Sequence, residues 1–118
     1  MSYDKNNIFA KILRGEIHCK KVYENDHVLA FHDVNPQKKI HVLVIPKGEY
    51  IDLDDFNKNA SDKEIIELSK AITHVSNLLG AKDKGYRSLT NIKSDGGQEV
   101  PHLHFHIFAG EKIGKMVS

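Results

Sequence analysis

The sequence predicts an α+β domain in which about five mainly antiparallel strands carry one long helix and one short helix. Two observations lead there. Short β-rich runs follow one another through short connections, which favours antiparallel neighbours over βαβ units. One long segment instead steps its apolar residues by three and four behind a capping motif, as a helix packed on a sheet must.

Ile8, Phe9, Ile12 and Leu13 recur at helical spacing and Gly15 can end the turn, so a short amphipathic helix is expected over residues 7–14. Val22-Tyr23-Glu24 reads as a strand and Asn25-Asp26 as a turn into the next, His27–Phe31, which runs out through His32-Asp33-Val34 to a loop at Asn35-Pro36-Gln37. Ile40–Ile45 is the most β-rich run, is closed by Pro46, and should pair with the strand before it. The acidic stretch Tyr50–Ala60, with Asp52, Asp54 and Asp55, reads as loop. Ser61-Asp62-Lys63-Glu64 is a capping box, and Ile65, Leu68, Ile72, Val75 and Leu79 behind it form the core stripe of the long helix, which Gly80 can stop. Tyr86–Asn91 is a further strand candidate, Ser94-Asp95-Gly96-Gly97-Gln98 a turn, and Pro101–Ala109 the last strand.

With 118 residues the chain is expected to form a single domain over 1–118, with its core at about 7–110 and a short tail at 111–118. A net charge of +1, from 17 basic and 16 acidic residues, argues against nucleic acid or anionic membrane as partners. Cys19 stands alone, which excludes an intrachain disulfide and a zinc site needing two cysteines of one chain. There is no signal-peptide pattern and no apolar run of ~18 residues, so a cytoplasmic location is expected.

The chemistry concentrates in Pro101–Ala109, where His102, His104 and His106 alternate with Leu103, Phe105 and Ile107. On a strand this puts imidazoles on one face and apolar side chains on the other. A polar, solvated face would show the same pattern. A metal set, with His41 as a further ligand, ranks lower, because three alternate strand residues span ~13 Å and cannot all meet one ion. No resident metal or other cofactor is therefore expected. Gly96-Gly97 can bring backbone N–H groups close to an oxyanion, while Asn91 and Gln98 offer amide donors to a phosphate.

The run His102-Leu103-His104-Phe105-His106-Ile107-Phe108 matches His-φ-His-φ-His-φ-φ, with φ apolar, and so resembles the histidine triad (HIT) family. Residues 7–12, 29–36, 41–47, 85–87 and 95–102 also resemble family segments, in the family's order. The likeness is greatest to the Hint-like branch of purine nucleoside phosphoramidases. It implies a HIT-like fold and hydrolysis at the α-phosphate of AMP conjugates, typically at a P–N bond, through a covalent nucleotidyl-histidine.

By resemblance His104 is the nucleophile, His106 and His41 contact the phosphate, and His102 orients the others. Asn91, with main-chain groups near the nucleophile, lies toward the phosphate, Asp33 toward the ribose and His32 beside it through its backbone. Phe9, Ile12, Ile17, Phe31 and Val34 enclose the base, although a small domain would bury such apolar residues in any case. Glu99 stands where animal members commonly have a serine, so it either repels the phosphate or binds a substrate cation. The tail lacks the Trp-Pro-Pro-Gly ending of those members. His18, His27 and His74 read as surface histidines. A purine nucleotide substrate and a two-fold homodimer are the implied partners. The alternatives are a dinucleoside polyphosphate hydrolase and a nucleotide- or zinc-binding regulatory module with little turnover.

Overall fold

The computed structural model describes residues 2–117. Helix α1 (Ile8–Leu13) precedes strands β1 (Lys21–Glu24), β2 (Val28–His32) and β3 (Ile40–Pro46). Helices α2 (Leu53–Asn59) and α3 (Asp62–Leu78) follow, then β4 (Arg87–Leu89) and β5 (Phe105–Ala109). The strands form one sheet in the order β1-β2-β3-β5-β4, and every neighbouring pair is antiparallel. The predicted α+β class is the fold observed.

The sheet has two apolar faces, and the alternation along its central strands assigns residues to each. Val28 and Ala30 of β2, Val42 and Val44 of β3, and Ile107 of β5 join Leu103 and Phe56 in one core with Leu68, Ala71 and Val75 of α3. Leu29, Phe31, Leu43 and Ile45 point the other way and pack with Phe9 of α1. This second face is only partly covered, and the cavity described below opens on it. No described helix is long and apolar enough to cross a membrane.

Helix α3 begins where its capping box predicts: the Ser61 hydroxyl accepts from Glu64 N–H, and the Glu64 carboxylate accepts from Ser61 N–H. Ser61→Ala removes the hydroxyl half of that exchange and should lower the free energy of unfolding by about 1 kcal/mol, readable as a shifted urea midpoint. An unchanged midpoint would show that water caps the helix equally well.

The structure corrects three expectations. Tyr50–Ala60 is not all loop, because α2 lies within it. Asp52 accepts from Asp55 N–H at 2.8 Å and caps the helix, Asp54 and Asp55 sit in its first turn where negative charge is favoured, and Phe56 anchors it in the core. The acidic residues that suggested a loop are thus the start signal of a short helix. The strand expected over residues 86–91 is regular only at Arg87–Leu89, and the histidine strand only from Phe105. Before Phe105 the chain is tied elsewhere, with His102 N–H donating to the Val100 carbonyl and Leu103 N–H to that of Tyr50.

Candidate active site

A cavity of about 620 Å³ lies against the half-covered face of the sheet. Phe9 and Ile12 of α1 and Ile17 beyond it form one wall, and Phe31, His32, Asp33 and Val34 at the end of β2 form another. His41 of β3, His106 of β5, His104 just before it, and Asn91, Gly97 and Glu99 from the adjoining loops complete it. The sheet register explains the meeting of His41 with His106. Their strands pair directly with His41 opposite Phe108 and Leu43 opposite His106, so the two imidazoles are diagonal neighbours on one face.

Two residues expected at the site are placed differently. Gln98 does not line the cavity: its amide donates to the Ile51 and Val100 carbonyls at 2.7 and 3.0 Å, and its oxygen accepts from Lys93 N–H. With its donors engaged, it shapes the glycine turn and is not free to bind a phosphate. His102 is completely buried behind the cavity wall. Within the turn, Gly97 has a φ of +78°, and a side chain on Gly96 would meet the Ile92 carbonyl at 2.4 Å, so close packing requires glycine at 96.

Partners that can only donate or only accept fix the tautomer of each buried histidine. His104 Nδ1 lies 2.7 Å from the His102 carbonyl, so Nδ1 carries the proton and Nε2 keeps its lone pair. His102 Nε2 donates to the Pro46 carbonyl at 2.9 Å, leaving Nδ1 to accept from the Tyr3 hydroxyl at 2.6 Å. His41 Nδ1 accepts from Gln37 N–H at 3.1 Å, so its Nε2 bears the proton and donates to His106 Nδ1 at 2.9 Å. His106 in turn carries its proton on Nε2. The outcome is an unprotonated His104 Nε2 beside a ring with an N–H donor, the His104 and His106 ring centroids being 5.1 Å apart.

Burial keeps these rings neutral. It pushes His102 and His106 down to about 4, and it lowers His104 and His41 below the ordinary imidazole range, with Asp33 partly opposing the shift at both. Phe9 contributes to the burial, meeting the His104 ring edge-on at 5.0 Å, while Phe108 stacks on His106 at 5.5 Å.

Asp33, His41 and His106 each bring one possible metal-ligand atom within 4.8 Å of the others. A cation there would need the His41 Nε2 lone pair. That nitrogen carries a proton because Gln37 N–H occupies Nδ1, so the arrangement suits a hydrogen-bonded relay better than a metal-ligand set. Asp33 is itself partly engaged, one oxygen accepting from Asn35 N–H at 2.8 Å and the other lying 3.4 Å from His41 Nε2.

The cavity also recruits residues that the sequence did not mark. Ile8, His18 and Cys19 line it, and Gln37 and Phe108 hold and cover His41. Of these only Phe108 carried a signal, as the final apolar position of the histidine motif. Outside the cavity, His74 packs on Tyr23 at the surface and His27 is half-buried.

Comparison with known proteins agrees with this architecture. The model of the HIT domain family matches residues 14–113. A 13.2 kDa HIT-like protein of Azospirillum brasilense is 56% identical, over 99% of this chain and 96% of its own length. Among solved structures, a histidine triad protein from Clostridium difficile is 43% identical with a TM-score of 0.84, over 97% of this chain and 98% of its own. A HIT family hydrolase from Clostridium thermocellum reaches a TM-score of 0.88 at 35% identity, over 98% of this chain and 99% of its own. With the motif, the fold and the full-length likeness together, the chain belongs to the HIT domain family.

Proposed function

We propose that the protein is a hydrolase of the Hint-like type, a purine nucleoside phosphoramidase that cleaves AMP conjugates at the α-phosphate through His104. The observation that carries the reading is the tautomer of His104. With Nδ1–H held by the His102 carbonyl, Nε2 presents a lone pair to a cavity large enough for a nucleotide. The hydrolase name of the similar Clostridium thermocellum structure supports the same class.

In this reaction His104 Nε2 attacks phosphorus, an N–P bond forms, and the P–N bond to the leaving amine breaks, with the amine taking a proton as it departs. Water then attacks phosphorus, the His104–phosphorus bond breaks, and AMP is released with the neutral imidazole restored. His106 Nε2–H is the donor best placed by its tautomer to stabilise phosphate oxygens or assist the leaving group. Asn91 and the backbone around Gly97 add donors at the phosphate end. Asp33 serves the ribose, and Phe9, Ile12, Ile17, Phe31 and Val34 enclose the base. His32 is assigned beside the ribose through its backbone, and Glu99, which also lines the cavity, is assigned to the leaving-group side, where it would favour a cationic amine. No resident metal or other cofactor is needed for these steps. The working form is proposed to be a homodimer, supported by the place of β4 at one edge of the sheet, where a second copy could pair.

Mass spectrometry of the intact protein, quenched during turnover of an adenosine 5′-phosphoramidate, should find an adenylyl adduct on His104. An adduct on another residue, or turnover with none on any rapid-quench timescale, would overturn the covalent route. The ratio of kcat/KM for the phosphoramidate to that for diadenosine polyphosphate separates the proposed activity from polyphosphate hydrolysis.

A further inference from the structure

We infer that Tyr3 is a positioning residue of this site: its hydroxyl fixes the buried His102, whose carbonyl holds the ring of His104. The inference rests on the proposed role of His104, but its geometry stands independently.

His102 has no exposed surface, so each ring nitrogen needs a partner within the protein. Nε2 faces the Pro46 carbonyl, which can only accept, and must therefore carry the proton. Nδ1 then needs a donor, and the Tyr3 hydroxyl supplies it from 99 residues away at 2.6 Å. The two rings meet edge-on at 5.6 Å, so Tyr3 constrains His102 by packing as well as by its hydrogen bond. In the same residue, the main-chain carbonyl accepts from His104 Nδ1–H at 2.7 Å. One buried histidine thus joins the N-terminal arm to the proposed nucleophile.

The arm is itself held in place. The Asp4 carbonyl accepts from the backbone N–H of Asn7 and, at 2.7 Å, from its side-chain amide, and Asn7 caps α1. The Lys5 carbonyl accepts from the Arg14 guanidinium at 2.8 Å beyond the other end of that helix. Tyr3 and Phe9 therefore belong to one braced segment, in which Tyr3 grips His102 while Phe9 packs on His104. Without the hydroxyl, His102 Nδ1 becomes a buried acceptor with no donor, and its ring and carbonyl lose a restraint.

Tyr3→Phe keeps the aromatic ring and removes only the hydroxyl. In ¹⁵N-histidine-labelled protein, the His102 Nδ1 resonance should move downfield toward that of an unbonded imine nitrogen, and the His104 Nδ1–H signal should shift or broaden. With the phosphoramidate, kcat should fall about tenfold with KM changed less than about twofold, as for loss of positioning in the reacting complex. A His102 resonance unmoved by the substitution would overturn the hydrogen bond. A moved His102 signal with unchanged His104 signal and unchanged kcat would overturn the positioning role. Should wild-type protein prove inert toward phosphoramidates, the proposed function falls, and the two histidine signals still decide whether Tyr3 positions His104. Tyr3→Phe leaves no cavity beyond one oxygen, and a circular dichroism melt verifies folding before either comparison.

Discussion

His104→Ala is expected to abolish turnover of an adenosine phosphoramidate, lowering kcat by at least about 10⁴-fold, while the protein remains folded. The size follows from the kind of role proposed. A group that only stabilises charge leaves the remaining donors working when it is removed, whereas loss of the nucleophile closes the two-step route altogether. Among the described residues, His104 Nε2 is the one ring nitrogen of His41, His102, His104 and His106 that keeps a lone pair with no hydrogen-bond partner. Folding should survive because the ring contributes one hydrogen bond, to the His102 carbonyl, worth about 1 kcal/mol. Its edge-on contact with Phe9 faces the cavity side of the sheet, away from the core under α3. Steady-state kinetics beside a urea titration and AMP binding provide the check. A folded variant that binds AMP and retains turnover within tenfold of wild type would remove His104 from the chemistry.

Much of this framework could be read from local sequence, and the physical reason is that the readable parts are local. The capping box of α3 involves residues three apart, and the β3 run announces a buried strand by its composition alone. Alternation in residues 102–107 correctly separated histidines from the apolar side that packs beneath α3, even where the backbone is not regular strand. What the alternation could not show is that the three histidines occupy three different environments. His102 is sealed behind the wall, His104 has its Nε2 lone pair free, and His106 is tied to a histidine on another strand. The settings of His102 and His106 come from Pro46, Tyr3 and His41, none closer than 56 residues to its partner. Gln98 illustrates the same limit. Its residue type suited a phosphate donor, but its amide is engaged by the Ile51 carbonyl, 47 residues away, and by that of Val100.

Acid should destabilise the fold well before its carboxylates protonate, because the site keeps buried imidazoles neutral. His102 has its pKa lowered from 6.5 to about 4 by burial, with the Pro46 hydrogen bond opposing and His104 adding slightly to the fall. The unfolded chain therefore takes up a proton near pH 6.5, while the folded protein does not until near pH 4. Between these values the unfolded state binds more protons, so the free energy of unfolding drops as the pH drops. For His102 alone the loss is about 3 kcal/mol across that window, since each pH unit is worth about 1.4 kcal/mol. His106, His104 and His41 are shifted in the same direction and steepen the slope. The carboxylates act later. Glu24, held down to about 2 by Lys21 and Lys47, loses its stabilising contribution only below the ordinary carboxylate range. Urea unfolding between pH 7.5 and 4.5 should thus show a steep fall beginning near 6.5. His102→Gln should be less stable at pH 7.5 but lose less on acidification, by up to one proton's worth of slope. A wild-type curve flat from pH 7 to 5 would mean that the folded protein protonates these rings freely. The relay's tautomers could then not hold below neutrality, because a protonated His104 has no lone pair with which to attack phosphorus.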